Sequence, residues 1–364
     1  MYMEEQYYLD SHDQFMLRAI ELAKEGIGHV SPNPMVGCVI VKEGKLIAEG
    51  YHREYGSDHA EIDALKNAIK DPIDSTVYVT LEPCTKYGKT PPCASALVSA
   101  GIKEIFVSSI DPNPNVNGNG LEFLRSKGIK VHLGLRAFES KEINLGYSRW
   151  VETGFPYVIA KVAQSSDGFI SKDRNNQTWI TGSESKVYTH RLRSSVDAIL
   201  VGKGTVDADN PLLTVRKVEG ISPKRVILDS NRTLSLGMNI FNNNDSETIV
   251  FCSNRRFSDS ETSFCKYIAV NEDNGLLDID EVLKKLGSLG ITSLLVEGGE
   301  RTLKSFNDLN AIDRLYQFTS TNRLCDGMIK NPIQIDSKWN EEDSHLLGND
   351  RLNIFVKEAK CLQV

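Results

Sequence analysis

Apolar positions along the chain repeat at two spacings, one helical and one extended. Phe15, Ala19, Ile20 and Ala23 recur at helical spacing behind the capping pattern SHDQ, and Gly26 stops that helix. MVGCVIV and LIAEGYH, joined by the turn KEGK, read as a strand pair. HAEIDALKNAIK reads as a helix, STVYVTLE as a strand, and PPCASALVSAG as a helix with proline in its first turn and glycine at its end. EIFVSSI, LEFLRSKG and IKVHLG add a strand, a helix and a strand. The strand runs are too continuously apolar for one-sided burial, which predicts a three-layer α/β unit.

After ESKEINLGYSRWVETGFP the rhythm restarts. Gly154 and Pro156 mark a helix end before a fresh strand, which predicts domains over 1–152 and 153–364. YVIAKVAQ, AILVG, RVILDS, TIVFC, YIAV, SLLVEGG and RLYQFTS are strand candidates; SESKVYTHRLRSSV, DIDEVLKKLGSLG and RTLKSFNDL are helix candidates. A second α/β unit follows.

Composition agrees: 364 residues exceed what one core usually serves, and 40% hydrophobic with 25% charged residues suits about two globular domains. The start carries four acids before its first strong base at Arg18, unlike a secretory signal. No run approaches the ~18 apolar residues of a membrane span. Seven scattered cysteines do not form a disulfide framework, which points to a reducing cytoplasm. A net charge of −7 weighs against binding a nucleic-acid backbone, and leaves room for a local basic pocket that takes one small phosphate; homo-oligomerisation stays open.

CTKYGKTPPC places Cys84 and Cys93 close together, and a disulfide or a shared metal would explain them. DHAEIDAL upstream opens a helix with His59 and Glu61. In mid-helix, residues two apart point roughly 200° apart, but at a helix N-terminus both can address one point, where Cys93, opening another helix, joins them. One imidazole and two thiolates, His59, Cys84 and Cys93, suit Zn²⁺ with its fourth position open, the pattern of a catalytic site. Glu61 is then placed as a proton carrier rather than a ligand.

These residues resemble the zinc-dependent nucleobase deaminase superfamily through its H-A-E and P-C signatures, although eight residues separate the cysteines instead of two. With SPNPMVGCVIV, GYHREYGSDHAE, DPNPNVNGNG, TGFPYVIAKVAQSSDG, TWIT, VDADNPLLTVR and LLVEGG, the chain is similar to one branch, the bifunctional pyrimidine deaminase/reductases of riboflavin biosynthesis, over about residues 12 to 320. The resemblance implies a cytidine-deaminase-like α/β/α domain followed by a dihydrofolate-reductase-like α/β domain. It also implies a phosphoribosylaminopyrimidine substrate, deaminated by the first domain and reduced at its ribose by the second with NADPH. For the deaminase it implies substrate contacts by Asn33, His52, Lys89, Asp111 and Asn113, with His52 and Lys89 suited to phosphate or sugar oxygens.

No GxGxxG follows a strand. The best phosphate site legible from the residues is SLLVEGGERTLKSF, where Gly298 and Gly299 precede a helix whose first N–H groups are open to an anion. The resemblance places NADPH along this turn, at Gly298, Gly299, Glu300, Arg301, Thr302, Leu303, Lys304 and Ser305, with Ala163, Trp179, Thr205, Asp209 and Ser230. It gives Gln177, Arg193, Leu213, Arg216 and Glu297 to the substrate. Arg193 and Arg216 suit a phosphate clamp. Lys161, on an apolar strand, must find a partner and is placed as a catalytic residue at the sugar oxygens. Trp179, judged on the residues alone, is expected in the core. Two rivals stand beside this reading: a tRNA or nucleoside deaminase with an unrelated second domain, and a non-catalytic zinc or nucleotide binder.

Overall fold

The computed structural model describes residues 2–86, 92–114, 116–174, 176–242, 245–258 and 264–357. The chain divides into two compact units, Met1–Gly154 and Phe155–Val364.

The first unit runs α1 (Tyr2–Lys24), β1 (Gly37–Lys42), β2 (Lys45–Tyr51), α2 (Ala60–Lys66), β3 (Thr76–Leu81), α3 (Cys93–Ser99), β4 (Glu104–Ser109), α4 (Asn119–Ser126), β5 (Lys130–Leu133), α5 (Ala137–Ile143) and α6 (Leu145–Thr153). Its sheet has the order β2-β1-β3-β4-β5, with β1 antiparallel to both neighbours and β3, β4 and β5 parallel. Strand periodicity sorts the core. Val39 and Val41 face Met16, Ala19 and Ile20 of α1, whereas Cys38 and Ile40 face Ala60, Ala64, Ala94 and Leu97 on the other side. Two departures from expectation are local. α1 begins before Ser11, because Glu4, Glu5, Gln6 and Leu9 continue a helix-forming run through the expected cap. α2 stops at Lys66 rather than running on to Lys70.

The second unit runs β6 (Tyr157–Gln164), β7 (Phe169–Ser171), α7 (Ser183–Ser194), β8 (Ala198–Gly202), α8 (Lys203–Asp209), β9 (Lys224–Leu228), β10 (Thr248–Ser253), β11 (Lys266–Val270), β12 (Glu272–Asp273) and β13 (Leu276–Leu277). It continues with α9 (Ile279–Ser288), β14 (Ser293–Val296), α10 (Glu300–Asp308), β15 (Arg314–Thr319), β16 (Ile329–Lys330), β17 (Trp339–Leu347) and β18 (Asp350–Lys357). The main sheet has the order β11-β10-β9-β8-β14-β6-β15-β18-β17, parallel as far as β15 and closed by the antiparallel hairpin β17–β18. Ala198 and Leu200 of β8 face one core with Leu294 and Val296, while Ile199 and Val201 face the other. α9 buries Ile279, Val282, Leu283 and Leu286, one helical stripe, and Asp278 caps it by accepting from the Glu281 N–H at 3.1 Å.

Candidate functional site

In the first unit the ends of β3 and β4 and the start of α2 converge, the place where open parallel sheets bind ligands. His59 is the N-cap of α2 with extended backbone (φ −71°, ψ 161°), so the angular rule that separates i and i+2 in a helix does not apply to it. Its Nδ1 lies 3.6 Å from Cys84 Sγ and 3.2 Å from Cys93 Sγ, and the Cys93 N–H points at Cys84 Sγ at 3.4 Å. Both thiols are free, so the disulfide alternative is not adopted. One ligand atom from each of the three residues falls within 4.8 Å of the others. The donor set and its closeness fit a zinc ion held by His59, Cys84 and Cys93.

Electrostatics at this point favour a cation. The hydrogen bond from Cys93 and the nearby His59 bring the Cys84 thiol down to about 4, while the Cys84 partner and burial push Cys93 up, so the pair shares one proton. A divalent cation held there would displace that proton and keep both as thiolates. Glu61 is 3% exposed, and burial followed by the Cys84 charge pushes its carboxyl up to about 7.

Of the residues expected to meet substrate, His52 lies edge-on to His59 with ring centroids 5.5 Å apart and is bonded to Asn33. His52 Nδ1 donates to the Asp58 carbonyl at 2.9 Å, which leaves Nε2 to accept from the Asn33 amide at 3.1 Å. Burial lowers its pKa, and its two ring bonds orient the Asn33 amide. Asp111 is 7% exposed, and its Oδ1 accepts from the Asn113 N–H at 2.8 Å and the Tyr147 hydroxyl at 3.0 Å. Lys89 lies outside the described residues. Two side chains that the sequence did not single out shape this site. Tyr147 orients Asp111, and the Asn144 amide brackets Met35 by accepting from its N–H and donating to its carbonyl, both at 2.8 Å. Only their polar type within an otherwise helical stretch hinted at them.

The second unit holds a cleft of about 950 Å³. Its floor is Lys161 on β6, whose Nζ lies 3.8 Å from Glu297 Oε2 at the end of β14. Arg193 of α7 grips the same carboxylate with two bonds, 2.8 and 3.1 Å, and donates to the Thr214 carbonyl at 3.3 Å. Burial lowers the Lys161 pKa; burial also opposes ionisation of Glu297, but Arg193 and Lys161 outweigh it and hold the carboxyl below its usual range. Arg193 is therefore committed to Glu297, and of the expected phosphate pair Arg216 is the exposed one. The backbone of Arg216 is fixed by His190, whose Nδ1 accepts its N–H at 3.0 Å; the sequence reading passed over this buried histidine.

Ala163, Gln177, Thr205, Asp209, Leu213, Ser230 and the turn from Gly298 to Leu303 with Ser305 also line the cleft. α8, which carries Thr205 and Asp209, has no sequence signal beyond VGKGTVDADN. The Gly299 N–H is taken by Thr205 Oγ1 at 3.1 Å, which leaves the following N–H groups of α10 to face an anion. A Cβ at Gly298 would lie 2.5 Å from the Cβ of Thr302 across the turn, so the strand can meet the helix closely only with glycine there. The cleft and this helix opening fit a dinucleotide phosphate. Two expectations fail. Trp179 is 67% exposed rather than core, resting under Lys186 at 3.9 Å on the cleft wall. Lys304 points away from the cleft to Asp308 at 2.6 Å, because its place on α10 lies on the outer face.

Comparison with known proteins follows the same division. Residues 9–109 match the cytidine and deoxycytidylate deaminase zinc-binding region, and residues 156–320 match the RibD C-terminal domain. The riboflavin biosynthesis protein RibD of Aquifex aeolicus is 38% identical over 349 residues, covering 94% of this chain and 97% of that protein. The chain belongs to the RibD family. The RibD of Escherichia coli is 34% identical over 88% of this chain and 89% of its own length. A Thermotoga maritima structure described as a diaminohydroxyphosphoribosylaminopyrimidine deaminase/5-amino-6-(5-phosphoribosylamino)uracil reductase superposes with a TM-score of 0.87 at 35% identity, covering 96% of this chain and 100% of that one. The two RibD modules thus coincide with the zinc cluster and the Lys161 cleft. No helix among the described residues is long and apolar enough to cross a membrane.

Proposed function

We propose that this RibD-family chain carries out two successive steps on one pyrimidine in riboflavin biosynthesis. The first unit replaces the 2-amino group of 2,5-diamino-6-(5-phosphoribosylamino)pyrimidin-4-one by oxygen, consuming water and releasing ammonia. The second reduces the ribose of the product to a ribityl chain with NADPH. The observation that carries the reading is the conjunction of three residues spaced as zinc ligands with a buried Glu61 and, on the same chain, a cleft built on Lys161.

His59, Cys84 and Cys93 would hold a zinc ion, which would supply water acidified enough to act as hydroxide near neutral pH. Glu61, poised near neutrality by its burial, takes the proton and returns it to a ring nitrogen and then to the departing amine. Asn33, held by His52, pairs with a base edge, while Asp111 and Asn113 meet the ribosyl side.

Gly298 to Leu303 with Ser305 would hold NADPH, which would supply hydride to C1 of the sugar. Lys161 donates a proton to the ring oxygen that leaves as a hydroxyl, and Glu297 with Arg193 fixes the direction of its ammonium. Arg216 meets the phosphate. The chain acts in the cytoplasm on a small molecule and not on nucleic acid. The test gives purified zinc-loaded protein the diaminopyrimidine phosphate with NADPH and follows ammonia and NADPH absorbance together. Both signals are expected, and ammonia without NADPH oxidation would remove the second activity.

A further inference from the structure

Glu82 lies between the end of β3 and the ligand Cys84, and it is 4% exposed. No cation pairs with its carboxylate among the described residues. Three backbone N–H groups do: Oε2 accepts from Asp111 at 3.3 Å and Gly118 at 2.8 Å, and Oε1 accepts from Gly120 at 2.7 Å. Its own N–H donates to the Ser109 carbonyl at 3.0 Å, which ties it to the end of β4. The residues it gathers, within 111–114 and 116–120, include Asp111 and lie beside Asn113, whose N–H donates to Asp111 Oδ1. The close approach is specific to the sequence, since a Cβ at Gly120 would lie 2.1 Å from the Pro83 carbonyl and 3.0 Å from Glu82 Oε1.

We propose that Glu82 is a positioning residue of the deaminase site, whose carboxylate folds residues 111–114 and 116–120 into the shape that presents Asp111 and Asn113 to the substrate. The proposal rests on the deaminase reading above. A carboxylate is required because it is acceptor-only at both oxygens, while an amide would turn a donor toward at least one N–H. If the NH₂ took the place of Oε1 it would face Gly120; in the place of Oε2 it would face both Asp111 and Gly118. The anion also sits where the first N–H groups of α4 lack helical partners. Glu82 touches no reacting atom. It acts through the loop, so its loss weakens ground-state and transition-state binding alike.

The experiment compares the unaltered chain with Glu82→Gln by zinc content, ammonia-release kinetics and amide hydrogen exchange. Glu82→Gln is expected to keep its zinc and its reductase activity on the deaminated intermediate. Its KM for the diaminopyrimidine phosphate should rise roughly tenfold with kcat within about threefold, and the amides of Gly118 and Gly120 should exchange faster. An unchanged KM, or a fall in kcat alone with unaltered exchange, would overturn the proposal. If Glu82→Gln does not fold, Glu82→Asp, which keeps an acceptor-only carboxylate but draws it back from the three N–H groups by one methylene, must give the KM rise. Failure of the unaltered chain to release ammonia would appear in the control arm and would sink the deaminase reading itself.

Discussion

Lys161 stands between Ile159 and Ala163 on a strand whose neighbours are apolar, and its tolerance there depends on Glu297, which also holds Arg193. Two half-buried cations share one carboxylate, so a substrate phosphate has most reason to meet Arg216, the exposed guanidinium at the cleft. Arg216→Ala should cost the reductase roughly 1.5–3 kcal/mol in kcat/KM if that group bonds a charged oxygen, with the thermal midpoint unmoved because the residue is exposed. Steady-state kinetics with the deaminated intermediate decides it, and unchanged constants would return Arg216 to the surface. His190 gives a pH signature. Burial, then Arg193 and Arg216, bring its pKa down to about 4, against 6.5 in an unfolded chain. The folded state therefore binds fewer protons than the unfolded one as pH falls from 6.5 towards 4. The stability His190 confers is complete above that window and is lost within it, by up to about 1.4 kcal/mol per pH unit. His190→Gln should flatten the fall of the second unit's denaturation midpoint across that range, and an identical slope would contradict the assignment.

At the level of elements, the terminal hairpin matters more than its sequence suggested. Asp350, opening β18, accepts from the Gly182 N–H at 2.7 Å and the Ser185 hydroxyl at 2.6 Å, and so caps α7 from a distant part of the chain. α7 is the helix that brings His190 and Arg193 to the cleft. Asp350→Ala should cost about 1 kcal/mol of stability, in the range of a lost N-cap, and lower reductase turnover while ammonia release is unaffected. Chemical denaturation with both assays checks this. The hairpin also shows where the sequence stops being legible. β17 reads WNEEDSHLL, whose exposed run from Asn340 to Ser344 is polar throughout, and it is a strand only because β18 offers a ladder to pair with. Strands buried on both faces, such as VGCVIV and AILVG, were legible because their apolar runs leave no other home. The zinc ligands were legible because His-Ala-Glu and the spaced cysteines are a rare conjunction. Asn144, Tyr147, Glu82 and His190 were not, since each works through a backbone group or side chain distant in sequence, and no local pattern records that pairing.

Across the whole molecule, the two proposed sites draw on different side chains among the described residues. Removal of the metal by a chelator should abolish ammonia release, leave NADPH oxidation of the deaminated intermediate intact, and be reversed by added zinc; loss of both activities in a still-folded protein would contradict separate sites. The most direct measurement replaces the proposed proton carrier, Glu61, alone. Zinc-loaded Glu61→Gln, given the diaminopyrimidine phosphate and then the deaminated intermediate, should keep its metal and release no ammonia while oxidising NADPH at the unaltered rate. Ammonia released at the unaltered rate by that folded, metal-bound variant would contradict the account.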